Sequence, residues 1–309
     1  MLKLLYLPLL VPGGAHEQWY LAKAFDKEFA CLVFDYYGFE GDADAEFRKI
    51  VQLFKPDVIH CQFQATDKIR AASLHHIKQV YPNTIITQWT GDVLAEPIPQ
   101  TLEYSRACDA TLVVSLSEMS FYERAQYWQM AFDPETQTGK PSTDPKGIVF
   151  CGGRYTVFQN SEQRMELIDR FRKEFDDMEV YGFGWTKPGI PNNLLPWAQQ
   201  TELYQNKYLI LGHNNVPNKK WWFSDRTFIA LASGRPHLTQ YTEGSEEVFT
   251  DMKEIVYYKT IDEAVEKAKW LLAHPREAAE IGLAGQRRVL KDHTWKKRVQ
   301  QYKELVEKL

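Results

Sequence analysis

Cysteine is scarce in this sequence: Cys31, Cys61, Cys108 and Cys151 are the four in 309 residues, and no C-x-x-C pair brings two together. That spacing excludes a disulfide-stapled miniature fold, and three of the four lie in or beside apolar strand-like runs, as buried reduced thiols do. Long hydrophobic runs are missing too, since none approaches the roughly twenty residues that span a bilayer. The opening LKLLYLPLLVPGGA has the lysine, apolar core and small residues of a weak signal peptide. Its run is short and broken by Pro8, however, so it reads as a first buried strand and the chain as cytoplasmic, with no membrane span. Positive charge is not in excess: the formal net charge is −4, so no global field draws the chain to nucleic acid or an anionic membrane. Lys296, Lys297 and Arg298 form one basic cluster, which on a terminal helix reads as a solvated face. There is no low-complexity tract and no internal repeat.

What is there is a globular composition, 44% hydrophobic and 25% charged, which excludes disorder over a length that suits about two domains. Short apolar runs alternate with helical patterns, the signature of parallel sheets wrapped by helices. KLLYLP, CLVFDY, DVIHCQF, TIITQW and ATLVVS read as strands, and AEFRKIVQLF and KIRAASLHHIKQV as helices between them. From Asp133 to Lys146 the text DPETQTGKPSTDPK has no apolar period and reads as a linker or exposed loop. The alternation then restarts with GIVFCGG, SEQRMELIDRFRKEF, MEVYGFG and KYLILGHN. Three helices close the chain, each starting at proline or threonine. The expectation is an α/β protein with one Rossmann-like domain over 1–140 and a second over 147–309, facing a central cleft at their sheet edges, with C-terminal helices.

Four stretches could carry chemistry in such a cleft. PGGAHEQW follows the first strand and opens a helix; Gly13 and Gly14 let a ligand approach the backbone, and His16 is either a general base or donor to a hydroxyl, or a surface histidine. QWTGD places Asp92 just past a strand end, as a base toward an attacking hydroxyl or as a turn and cap residue. CGGR adds to a glycine pair the guanidinium of Arg154, whose planar fork suits phosphate. The fourth is HNNVPNKKWWFSDRTFIALASGRPHLTQYTEGSEEVF. Ser224 or Asp225 caps a helix there, Gly234 ends it, a strand starts at His237, and Gly244 with Ser245 opens another helix with Glu246 and Glu247 in its first turn. Capping explains the small residues but not Arg226 at the helix start. Asp42 and Asp44 form a D-A-D triplet of a kind that can hold a divalent cation, but before a helix it reads as a solvated cap. Adjacent His75 and His76 cannot share a helix face as ligands, and no metal site is expected.

The segment FSDRTFIALASGRPHLTQYTEGSEEVF, with EIVYYKTIDEAVEKAKWLLAHPREAAEIGLAGQRRVLKDHTWKKRV after it, resembles the C-terminal domain of GT-B glycosyltransferases. The branch it is most similar to is that of the spore-maturation protein CgeB, with a helix of the type R-x-F-E-x-L-A-x-G-x-P and a late H-T-W helix start. The match covers about the last hundred residues; the first half is similar only in strand and helix order. The resemblance implies a UDP- or GDP-sugar donor held by the second domain, an acceptor held by the first, no required cofactor and no obligatory metal. It implies Arg154 on the donor diphosphate, Arg226 opening the signature helix, and Gly244, Ser245, Glu246 and Glu247 in the loop nearest the phosphates and sugar. Gly13, Gly14, His213 and Lys220 complete the expected donor set, Asp92 or His16 is the expected base, and the last helix is a candidate to return to the N-terminal domain. The acceptor is open: a glycan, a protein, a metabolite or a modified DNA base as in viral base-glucosylating enzymes.

The departures point elsewhere. Paired glutamates eight positions apart are frequent in retaining relatives, yet Trp221 and Ile229 stand at those positions, and Gln159 replaces a frequent lysine for which Lys219 or Lys220 could substitute. An isoleucine cannot accept ribose hydrogen bonds. A non-catalytic nucleotide-sugar-binding or structural protein of this fold is therefore the alternative, and a sugar-phosphate epimerase is a third reading.

Overall fold

The computed structural model describes residues 1–10, 17–63, 68–185, 190, 195 and 197–309, with the side chains of 17, 197 and 198 left aside. The chain forms two compact units, one of Met1–Met130 with Trp295–Leu309 and the other of Ala131–Thr294.

Unit 1 runs β1 (Lys3–Leu7), α1 (Glu17–Asp26), β2 (Ala30–Val33), α2 (Ala43–Phe54), β3 (Val58–Cys61), α3 (Ala71–Val80), β4 (Ile85–Thr90), α4 (Pro99–Ala107), β5 (Ala110–Val113), a 3-10 turn (Leu116–Phe121) and β6 (Ala125–Tyr127). The strands are all parallel, in the order β2-β1-β3-β4-β5-β6. β3 and β5 are buried along their whole length, as a parallel sheet covered on both faces requires, whereas the edge strand β2 is half-exposed.

Unit 2 runs β7 (Ile148–Cys151), α5 (Ser161–Glu174), β8 (Met178–Tyr181), α6 (Trp197–Gln205), β9 (Leu209–Gly212), α7 (Asp225–Ala232), β10 (His237–Gln240), α8 (Ser245–Val248), β11 (Val256–Tyr258), α9 (Ile261–Ala273) and α10 (Pro275–Asp292). Its parallel order is β11-β10-β9-β7-β8. Counted from its own first strand, each sheet begins 2-1-3-4-5, so each has a point where the chain reverses direction across the sheet: between β1 and β3 in unit 1, between β7 and β9 in unit 2. Ligands of open α/β folds bind outside the carboxyl ends of the strands at such points. The fold class expected from the strand and helix alternation is thus the one found, with the three closing helices in place.

The last of these, α11 (Trp295–Val306), belongs to unit 1. Tyr302 shares a 2.7 Å hydrogen bond with Thr87 of β4, Trp128 Nε1 donates to the Arg298 carbonyl at 2.9 Å, and Trp295 packs edge-on to Trp89. Arg298 does not sit on a solvated face as expected. It is buried and donates through Nε to the Gln129 carbonyl at 2.9 Å, while Lys296 and Lys297 stay exposed. Asp44 corrects a second expectation. Asp42 caps α2 by accepting from Ala45 N, but Asp44 is buried and takes hydrogen bonds from Arg70 N, Nε and Nη2 and from Ser73 Oγ, tying α2 to α3. Burial pushes its carboxyl up, and these donors more than offset that, so it ionises below the usual range.

The stretch from Asp133 to Lys146 has neither helix nor strand, yet it is docked on unit 2. Gln286 Nε2 donates to the Gly139 carbonyl at 2.9 Å, and Arg235, just past α7, donates to Gln205 O at 2.9 Å and to Ser142 O. Arg235 thus serves the backbone.

The loop after β8 lies against the loop after β7. Gly152 N donates to Tyr181 O at 2.8 Å and Arg154 N to Phe183 O at 2.7 Å. Gly184, at φ +83°, presses so close that an added Cβ would fall 1.9 Å from the Arg154 carbonyl oxygen. Gly184→Ala should therefore lower stability by about 2 kcal/mol or more, from left-handed strain plus displaced backbone. Denaturant unfolding at wild-type stability would contradict this packing.

Candidate functional site

The loops at the β7–β9 reversal point carry Arg154 and His213. β7 ends at Cys151, Gly152 and Gly153 follow, and Arg154 comes next with its side chain mostly covered and its Nη2 2.7 Å from Glu162 Oε1, on the first turn of α5. The glycine pair was expected to let a ligand reach the backbone. The Gly152 amide instead donates to Tyr181 at the end of β8 and the Arg154 amide to Phe183 in the loop after it, so these two amides are taken by the protein's own chain.

His213 follows β9 and is buried, with Nδ1 2.7 Å from the Tyr258 hydroxyl. That hydroxyl also lies 2.8 Å from the Gly212 carbonyl, which can only accept. Tyr258 has one proton, and the carbonyl takes it; the hydroxyl oxygen must then accept from Nδ1–H. The arrangement selects the Nδ1–H tautomer and leaves Nε2 as an acceptor, buried and with no hydrogen-bond partner among the described residues. Burial, with a smaller effect of the Arg164 charge, pushes the His213 pKa down to about 3, so the ring is neutral.

Arg226 opens α7, whose N-cap Ser224 makes no side-chain capping bond. With Ser224, Thr227, His213, Cys151, Tyr204 and His237 it lines a cavity of about 10 Å³, room for one water. Arg226 has no ion-pair partner among the described residues; Arg164, His237 and Cys151 all feel its charge. Ile229, one turn further, is buried in the apolar face of α7, so its position supplies no acceptor.

Lys220 Nζ lies 3.9 Å from Glu243 Oε1. Gly244, at φ +76°, caps α8, and an added Cβ there would fall 2.6 Å from the Trp221 indole, so this glycine makes room for a tryptophan. Ser245 is buried with its hydroxyl engaged by Thr242, whereas Glu246 and Glu247 are exposed. In unit 1, Asp92 is exposed just past β4. Gly13, Gly14 and His16 lie outside the described residues.

One residue that sequence reasoning passed over is Arg164 of α5. It is fully buried, donating Nη1 to Gly153 O and Nη2 to His213 O, with its guanidinium 5.5 Å over the Phe150 ring. Its position was a signal: Arg164, Ile168 and Phe171 share the inward face of α5 at spacings of four and seven.

Residues 163–304 match the family described as glycosyl transferase-like. No curated protein matches the chain in sequence. Among solved structures, a sucrose-phosphate synthase from Thermosynechococcus elongatus is similar with a TM-score of 0.69 at 11% identity, over 99% of this chain and 98% of that one. Anabaena HepE in complex with UDP and glucose is similar with a TM-score of 0.68 at 13% identity, over the full length of both chains. A UDP-N-acetylglucosamine 2-epimerase-like protein from Listeria monocytogenes is similar with a TM-score of 0.60 at 11% identity, over 97% of this chain and 94% of that one.

Three buried histidines set an acid limit on this structure. His60 and His213 are pushed by burial down to about 3 and His237 to about 4, against 6.5 for the unfolded chain. Above 6.5 neither state carries these protons; below it the unfolded chain takes them up and the native one does not, so stability is lost as pH falls toward 4. Thermal midpoints should fall between about pH 7 and about pH 5, with net proton uptake on unfolding, and a flat profile would contradict the burial of these rings. The chain has the GT-B fold of two Rossmann-like units, and its residues 163–304 match the glycosyl transferase-like family.

Proposed function

We propose that the protein transfers a sugar from a nucleoside-diphosphate donor to an acceptor hydroxyl, with unit 2 holding the donor. The observation that carries this reading is the cluster of arginines about the β7–β9 reversal point. Arg154 is paired only with the exposed Glu162, and Arg164 and Arg226 have no ion-pair partner among the described residues. Concentrating three guanidinia beside a single exposed carboxylate is costly unless an anion completes the site. A diphosphate has the charge and the oxygen geometry that arginine forks match.

Arg154 and Arg226, with Lys220 nearby in sequence, would stabilise negative charge as it grows on the leaving diphosphate, the dominant electrostatic contribution in such transfers. His213, held as an acceptor, would receive a hydroxyl hydrogen bond of the donor, a role that Ile229 cannot fill. Glu246 and Glu247, exposed beyond Gly244, offer further acceptors for sugar or ribose hydroxyls. Asp92 or His16 would take the acceptor proton in an inverting reaction; in a retaining one the leaving phosphate would take it. UDP is the first donor nucleotide to test, because HepE was solved with it. The CgeB-like branch, the sugar and the acceptor are finer assignments within the same reading.

The buried Ile229 and the Trp221 packed over Gly244 favour a second reading, a binder that does not turn over. Calorimetry with UDP and UDP-glucose, alongside donor hydrolysis, separates the two. Arg154→Ala and Arg226→Ala should each weaken UDP binding by about tenfold or more, the scale of a hydrogen bond to a charged group. Wild-type affinity in both variants would remove the donor from this site, and tight binding without turnover over a panel of acceptors would favour the binder.

A further inference from the structure

Arg164 is a charge where a core residue belongs. It stands on the buried face of α5, beside Leu167, Ile168 and Phe171, and no part of it is exposed. A leucine or methionine there would fill the space without the desolvation cost that a guanidinium carries. Among the described residues no carboxylate pairs with it and Nε has no acceptor, and the charge that acts on it most is the like-signed Arg226. What the side chain gains instead is two backbone carbonyls.

Those two carbonyls place it. Gly153 is the residue before Arg154 in the loop after β7, and His213 is the first residue after β9. β7 and β9 are neighbours in the sheet, and the chain direction reverses between them. One planar fork therefore spans the reversal point from beneath, with Nη1 on one loop and Nη2 on the other. The Phe150 ring under the guanidinium fixes its plane. A second set of contacts transmits the constraint outward on each side. The β7 loop is bonded to the β8 loop through Arg154 N and Phe183 O, and the His213 ring is locked by Tyr258 with Nε2 as its acceptor.

We propose that Arg164 is the positioning residue of the donor site: by holding the Gly153 and His213 carbonyls in one fork it sets the separation and aim of Arg154 relative to His213. This rests on the donor reading above. Lysine in its place keeps a charge but has no fixed fork, so it cannot hold both carbonyls in one plane.

The test is a double-mutant cycle read by calorimetry with UDP, on the full chain. Arg154→Ala, Arg164→Met and the double variant are compared, with thermal midpoints measured on each. If Arg164 acts through Arg154, Arg164→Met weakens UDP binding about tenfold or more, and the double variant loses little beyond the worse single one, because neighbours in one network are not additive. Losses that multiply in the double variant, or wild-type affinity in Arg164→Met, overturn the proposal. Should Arg164→Met fail to fold, Arg164→Lys decides: a folded variant with a wild-type midpoint should bind UDP about threefold or more weakly, and unchanged affinity overturns the proposal. A loss in Arg154→Ala without one at position 164 sinks this inference and leaves the donor reading standing. No UDP binding by the wild-type chain sinks the donor reading and this inference with it, and wild-type affinity in Arg154→Ala sinks this inference alone.

Discussion

Every strand pairing in both sheets is parallel, and from that constraint most of the molecule follows. A parallel strand cannot return by a tight turn, so each is followed by a crossover, and all the loops at the carboxyl ends of a sheet emerge on one edge. In unit 2 that edge gathers Arg154, His213 and Arg226 from segments far apart in sequence. Chemistry-bearing residues thus share a neighbourhood without sharing a motif.

The strand and helix order was legible because burial in a parallel sheet writes itself into short unbroken apolar runs such as IVFC and LILG. The helices of the C-terminal third were legible from their caps: Thr260 accepts from Glu263 N, and Pro275 sits at the first position of α10. What periodicity does not encode is where a long polar side chain ends. Asp44 and Arg298 sit in helical patterns that read as solvated, and both turn inward because another segment presents complementary donors or carbonyls. Those partners are 26 and 169 residues away, beyond any local window.

Glycine was read with the right physics and a partner that differs. At Gly184 and Gly244 the missing side chain does permit close approach. The atoms that approach are the Arg154 carbonyl and the Trp221 indole. A sequence announces that something comes near a glycine; only the fold says what. Ile229 is the converse case, since its burial in α7 was implied by its neighbours in the helix and its place in the family pattern was the only reason to look at it.

The split of unit 1 between Met1–Met130 and Trp295–Leu309 bears on the order in which the nascent chain can be completed. β1 to β6 leave the ribosome first, but the face of β4 that Tyr302 and Trp295 cover waits for α11. Unit 2, translated in between, has all its strands by Tyr258 and its helices by Asp292. The half of the protein that is made first is therefore the half that can finish last, and in the interval its Trp89 and Trp128 rings are the surface a chaperone would meet.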